Sequence, residues 1–119
     1  RSDSNPMARI IETKLMPDGF CLNLFGLYLT RDRSWIDRHV INHERIHDAQ
    51  QRELLWLPFY VIYGLEWLWL MARTRDRDRA YRAVSFEREA YAFGHDLTYL
   101  RRRRAFAQWR RETPPAILR

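Results

Sequence analysis

Between Leu54 and Ala72 the chain carries a single charge, Glu66, a stretch nearly long enough to cross a bilayer as one helix. Whatever fold forms must cover this segment with protein or lipid. Pro58, Gly64 and five aromatic side chains with polar tips (Trp56, Tyr60, Tyr63, Trp67 and Trp69) suit a helix held between two others or lying at an interface better than a span. Proline is tolerated in the first helical turn, so the expected helix runs from about Pro58 to Arg73.

The elements on either side follow from periodicity. Ala8 to Leu15 alternates in strand fashion, Pro17-Asp18-Gly19 supplies turn chemistry, and Phe20 to Thr30 resumes as a second strand, so a β-hairpin is expected. Ser34 is a candidate cap for a helix over about 34–55, because Ile36, Val40, His43, His47 and Leu54 recur near every 3.6 residues. A third helix is expected over about 78–105, weakened at Gly94. The predicted fold is α+β, a short N-terminal hairpin or small sheet packed on a three-helix bundle. At 119 residues the chain is read as one domain, 1–119, with residues 1–7 a polar leader and 112–119 a tail.

Hydrophobic residues at 46% supply a core, which excludes wholesale disorder. Cys21 is the only cysteine, which excludes an intramolecular disulfide and a cysteine-rich zinc module. With no secretory pattern at the start, a reducing, cytoplasmic setting is expected. The net charge of +6 is almost wholly arginine, Lys14 being the one lysine among 21 basic residues. Arginine excess reflects base composition as readily as phosphate recognition, so nucleic acid is not expected as a partner, while contact with a membrane surface stays open.

His43-Glu44-Arg45-Ile46-His47 reads H-E-x-x-H. On a helix, residues four apart lie about 40° apart around the axis, so both imidazoles can grip one metal ion while Glu44 reaches a water on it. The pattern arises by chance in about one such sequence in a hundred. A catalytic zinc site needs a third protein ligand, and the third helix offers Glu87 and Glu89. Counting helical rise brings Glu87 back to the height of the histidines within about two turns if the three helices fold back on one another. A single span through residues 54–72 would instead separate them across a bilayer about 30 Å thick. His39 and His95 are weaker ligand candidates.

His43 to His47 together with Glu87-Arg88-Glu89-Ala90-Tyr91 resembles the gluzincin metallopeptidases, in which H-E-x-x-H on one helix is joined by a glutamate from a later helix, and in particular their compact, soluble, minimal forms. The resemblance covers roughly residues 20–100. It implies one zinc ion held by His43, His47 and Glu87, Glu44 as general base and acid, and a peptide or protein substrate. Tyr91 stands where the E-x-x-A-D signature of that group has an aspartate, which orients a ligating histidine. Tyr91 itself, Asp48, Asp96 or a backbone carbonyl is the expected substitute, and Glu89 remains the alternative ligand.

The expected reaction is zinc-dependent peptide hydrolysis, with Tyr91, His95 or Tyr99 as candidate donors to the developing oxyanion and the strand at 22–30 pairing with an extended substrate. Two rival readings are a catalytically silent or latent zinc module, its cleft filled by the tail from Thr113, and an arginine-rich nucleic-acid or membrane-surface binder. Arg101 to Arg104 reads as a solvated helix end whose charge complements the helix dipole.

Overall fold

The computed structural model describes residues 9–116; the expected leader and the last three tail residues lie outside the described residues. The α+β class holds. Three short strands, β1 (Ile10–Glu12), β2 (Cys21–Leu24) and β3 (Leu27–Thr30), precede the helices α1 (Arg38–Glu53), α2 (Leu57–Thr74), α3 (Arg77–Ala83), α4 (Ser85–Phe93) and α5 (Tyr99–Arg102).

The sheet order is β1-β3-β2, which corrects the expected hairpin. The segment 20–30 is not one strand but a hairpin of its own, β2 antiparallel to β3 with Leu24 opposite Leu27. Phe25 and Gly26 form its two-residue turn, both with positive φ (53° and 86°), the backbone twist that matches paired strands. Tyr60 makes the turn affordable for Phe25, accepting its N–H (2.8 Å) and packing against its ring at 5.1 Å. β1 then pairs with β3 in parallel, Ile10 beside Tyr28, so Pro17-Asp18-Gly19 lies within a crossover to the edge strand β2.

Helix α1 begins later than expected. Asp37, not Ser34, is its cap, accepting the N–H groups of His39 and Val40 at 3.0 Å each, while Ser34 sits in a single 3-10 turn capped by Asp32. Leu55 and Trp56 both take positive φ (58° and 64°) at the corner leading into α2, where the Leu57 N–H donates to the Leu55 carbonyl at 2.8 Å. Pro58 lies in the first turn of α2 as expected.

The long third helix is broken into three. Val84 is extended (ψ 134°), and Ser85 restarts the chain as α4 because Glu66 accepts both its N–H (2.8 Å) and its hydroxyl (2.6 Å). The one charge of the apolar segment thus satisfies donors at a neighbouring helix's N-terminus, where the dipole favours an anion. Around this joint Phe59, Leu70, Ala80, Ala83, Val84 and Phe86 form the largest core cluster. Ile46, Ala90 and Tyr99 form a second cluster between α1, α4 and α5.

The inner side of α2 packs on α3, α4 and α1, but the helix is not sandwiched: Val61, Leu65, Leu68 and Trp69 remain exposed. Among the described residues no single helix is long and apolar enough to cross a membrane, and α1 with α2 reaches that length only across a bend of 111°. The turn at Gly26 provides a test of the hairpin. An added Cβ there has open space, with Arg9 Nη1 4.0 Å away, so Gly26→Ala should cost about 1–2 kcal/mol through backbone strain alone. Urea unfolding should show Gly26→Asn, which tolerates the left-handed region, closer to wild type.

Candidate metal centre

His43 and His47 project from one face of α1 with their rings edge-on, 4.9 Å between centroids. Glu87, in the first turn of α4, brings Oε1 to 3.3 Å from His43 Nε2 and 3.1 Å from His47 Nε2. The three ligand atoms lie within 4.8 Å of one another. Ligands about 2.0–2.1 Å from a tetrahedral zinc ion stand about 3.4 Å apart, so both imidazole–carboxylate separations fit such an ion.

Two side chains that the motif did not reveal hold this arrangement. Tyr63 on α2 donates its hydroxyl to Glu87 Oε2 (2.6 Å), which leaves Oε1 to the imidazoles. Gln50, three residues after His47 and fully buried, gives its amide NH2 to the Phe86 carbonyl (3.0 Å) and to Glu89 Oε1 (2.8 Å). Its oxygen therefore faces His47, whose Nδ1 donates to it at 2.8 Å. The Nε2 of a neutral His47 then aims a lone pair at the Glu87 carboxylate, and the contact requires a cation, either a proton or a metal ion. Burial works against a charge on His47, but without an ion the neighbouring Glu87 carboxylate outweighs it and pushes the imidazole up to about 10. His43 is lowered, chiefly by burial. Burial opposes ionisation of Glu87, yet the two imidazoles hold it well below the usual carboxylate range.

Glu44 differs from its neighbours. It is buried, its Oε1 has no hydrogen-bond partner among the described residues, and burial pushes it up to about 8. The Cys21 thiol is raised as well, chiefly by burial and then by the nearby Glu44 carboxylate. Two cavities of about 330 and 220 Å3 border the cluster, the first reaching His43 and the second His47 and Glu87; Phe20, Cys21, Glu44 and Tyr81 line both. A buried carboxylate with an orphaned oxygen, bordering two cavities beside two imidazoles and a second carboxylate, has the chemistry to exchange a proton with a bound molecule.

The remaining candidates separate. Glu89 is not beside the ligands: Arg103 (2.5 and 3.1 Å), the Tyr99 hydroxyl (2.6 Å) and Gln50 enclose it. This also removes Tyr99 as an oxyanion donor. Arg103 pairs in addition with Glu53 (2.7 Å), and its side chain is 4% exposed, so the arginine run is not a uniformly solvated helix end. Asp48 accepts from Arg9 (2.9 Å), Asn23 (2.7 Å) and Tyr28 (2.6 Å). The Asp96 carboxylate pairs with Arg102 and Thr98. Neither orients a ligand; Gln50 takes that part for His47.

Tyr91 does not hydrogen-bond His43 or His47 either. Its ring packs edge-on against His43 at 4.7 Å, and its hydroxyl meets that of Tyr81 at 3.4 Å in the wall of the larger cavity. Tyr81, upstream of Glu87 on α3, brings a second phenol hydroxyl to the site and borders both cavities; its place before Glu87 in the chain gave it no motif signature. His39 and His95 lie beside each other in the larger cavity, ring centroids 5.4 Å apart. The tail does not fill the cleft as far as Ala116. Thr113 donates to the Ala107 carbonyl, Arg88 donates to the Pro114 carbonyl, and Ala116 packs on the main core.

Gly94 and two amides fix the distance between α1 and α4. A Cβ at Gly94 would stand 2.7 Å from the Ala90 carbonyl and 3.4 Å from His43 Cβ. Asn42 donates to the carbonyls of Gly94 and Asp96 at 2.9 Å each, while Gln50 holds Phe86 at the opposite end of α4. Comparison of the chain with protein-family models, with curated proteins and with solved structures gives no match. Calorimetric titration with zinc should give one tight site that Glu87→Ala removes and Tyr91→Phe leaves unchanged. Gln50→Leu should weaken it about 10–100-fold, the usual effect of removing a ligand's hydrogen-bond partner.

Proposed function

We propose that the chain is a zinc-dependent metallopeptidase of gluzincin type, with His43, His47 and Glu87 as ligands and Glu44 as general base. The observation that carries this reading is the shared approach of Glu87 Oε1 to both imidazoles beside a buried Glu44 carboxylate whose Oε1 has no hydrogen-bond partner among the described residues. Two imidazoles and one carboxylate form a donor set that suits zinc and leaves room for a fourth, exchangeable ligand. When bound, such an ion supplies Lewis-acid polarisation of a water and of a peptide carbonyl.

The chain's own residues do the rest. Glu44 takes the proton that the attacking water gives up and delivers it to the leaving amine nitrogen, a role open to a carboxylate whose Oε1 has no other partner. The Tyr81 and Tyr91 hydroxyls stand in the cavity wall as donors to the carbonyl oxygen as it gains charge. Burial raises both phenols, which keeps them protonated near neutral pH.

β2 is the edge strand of its sheet, and Cys21, Leu22 and Asn23 line the cavity that contains His47 and Glu87. An extended peptide adding to this edge would run past the ligands. The Asn23 carbonyl is already taken by Gln51 (3.3 Å) and Tyr60 (3.2 Å), so backbone pairing falls to Cys21.

The test is hydrolysis of a quenched fluorescent peptide library by the zinc-loaded chain. We expect turnover that a zinc chelator stops, and a loss of at least about a hundredfold in Glu44→Gln with zinc still bound one to one. A zinc-loaded wild type that cleaves no member of the library would instead identify a catalytically silent metal module.

A further inference from the structure

We propose that α2 lies flat on an anionic lipid bilayer, its outward face in the acyl boundary and its arginine ends at the phosphates. Between Arg52 and Arg73 every exposed residue is apolar. Leu57, Val61, Leu65 and Leu68 recur at helical spacing along this face, 67%, 52%, 62% and 59% exposed, with Trp69 beside them. A helix on a water-facing surface presents the opposite pattern, polar outward. An apolar strip along an 18-residue helix, about 27 Å long, exceeds the scattered exposed leucines of ordinary surfaces.

The inner face determines how lipid can be met. Phe59 and Leu70 are buried in the main core, Tyr63 holds Glu87, and Glu66 holds Ser85. The helix cannot leave the body to cross a bilayer without dismantling the core and the metal cluster, so contact is in the plane of the surface. Such contact joins apolar burial to cationic attraction, and both are present. Arg52 flanks the strip at one end, and Arg73, Arg75 and Arg77 are exposed at the other, Arg73 stacked over Trp69 at 5.3 Å. The acids nearest that end are engaged: Asp76 caps α3, Asp78 pairs with Arg82 and Glu66 is turned inward.

The charge selects lipid over a second copy. An antiparallel pairing of two such faces would set the Arg73–Arg77 end of one chain against the Arg52 end of the other, in a protein of net charge +6, whereas anionic headgroups supply the opposite sign.

The proposal is independent of peptidase activity, and its test reads binding alone. The full chain is floated with vesicles of equimolar phosphatidylcholine and phosphatidylglycerol, and with phosphatidylcholine alone. We expect binding to the anionic vesicles that weakens with salt. Partitioning should fall at least about tenfold in Leu65→Glu/Leu68→Glu, whose circular dichroism and zinc stoichiometry stay those of wild type, and about tenfold in Arg73→Gln/Arg75→Gln. Absence of wild-type binding, or binding unchanged in the leucine variant, overturns the proposal. So does a concentration-dependent dimer, abolished by the leucine variant, in a chain that ignores vesicles.

Discussion

A single carboxylate oxygen, Glu87 Oε1, faces two imidazole nitrogens, and much of the structure serves to keep it there. The contact needs positive charge between its members, and burying it makes an unmatched lone pair expensive. Each surrounding element contributes to the constraint. α2 takes the other carboxylate oxygen through Tyr63, α1 fixes the His47 tautomer through Gln50, and the extended Val84 lets α4 start where Glu87 falls opposite the histidines.

Behind the site stands another buried carboxylate with a different purpose. Glu89 connects Arg103, Tyr99 and Gln50, so the orientation of His47 depends on an ion pair on the far side of α4. Glu87 and Glu89 are two residues apart and both buried. Their separate roles follow from direction on a helix, where positions i and i+2 point to different sides. One meets the imidazoles and the other meets the guanidinium.

This division also explains how much the sequence disclosed. His43, Glu44 and His47 were legible because their relation is local, set by one helical turn, and Glu87 because folded-back helices return it to the same height. Gln50 and Tyr63 carry no such signature; an amide three residues past a histidine becomes an orienting group only once the Phe86 carbonyl and Glu89 fix which way it points. The α+β class and the start of α2 followed from periodicity and Pro58. The hairpin did not, because Gly26 reads as a strand residue until Tyr60, far along the chain, supports a turn at Phe25. The break at Val84 was equally hidden, since its cause is Glu66 on another helix. Arg103 looked like its solvated neighbours, and only tertiary packing singles it out for burial.

The clasp of α1 on α4 has a mechanical consequence. Asn42 and Gln50 grip backbone carbonyls at opposite ends of α4, and Gly94 admits His43 at close range between them. Sliding one helix past the other by a turn, about 5.4 Å, would empty both grips together and drive Gly94 off its neighbour. The two helices are therefore held in register from both ends, and a slip that broke the grips would carry His43 and His47 away from Glu87 together.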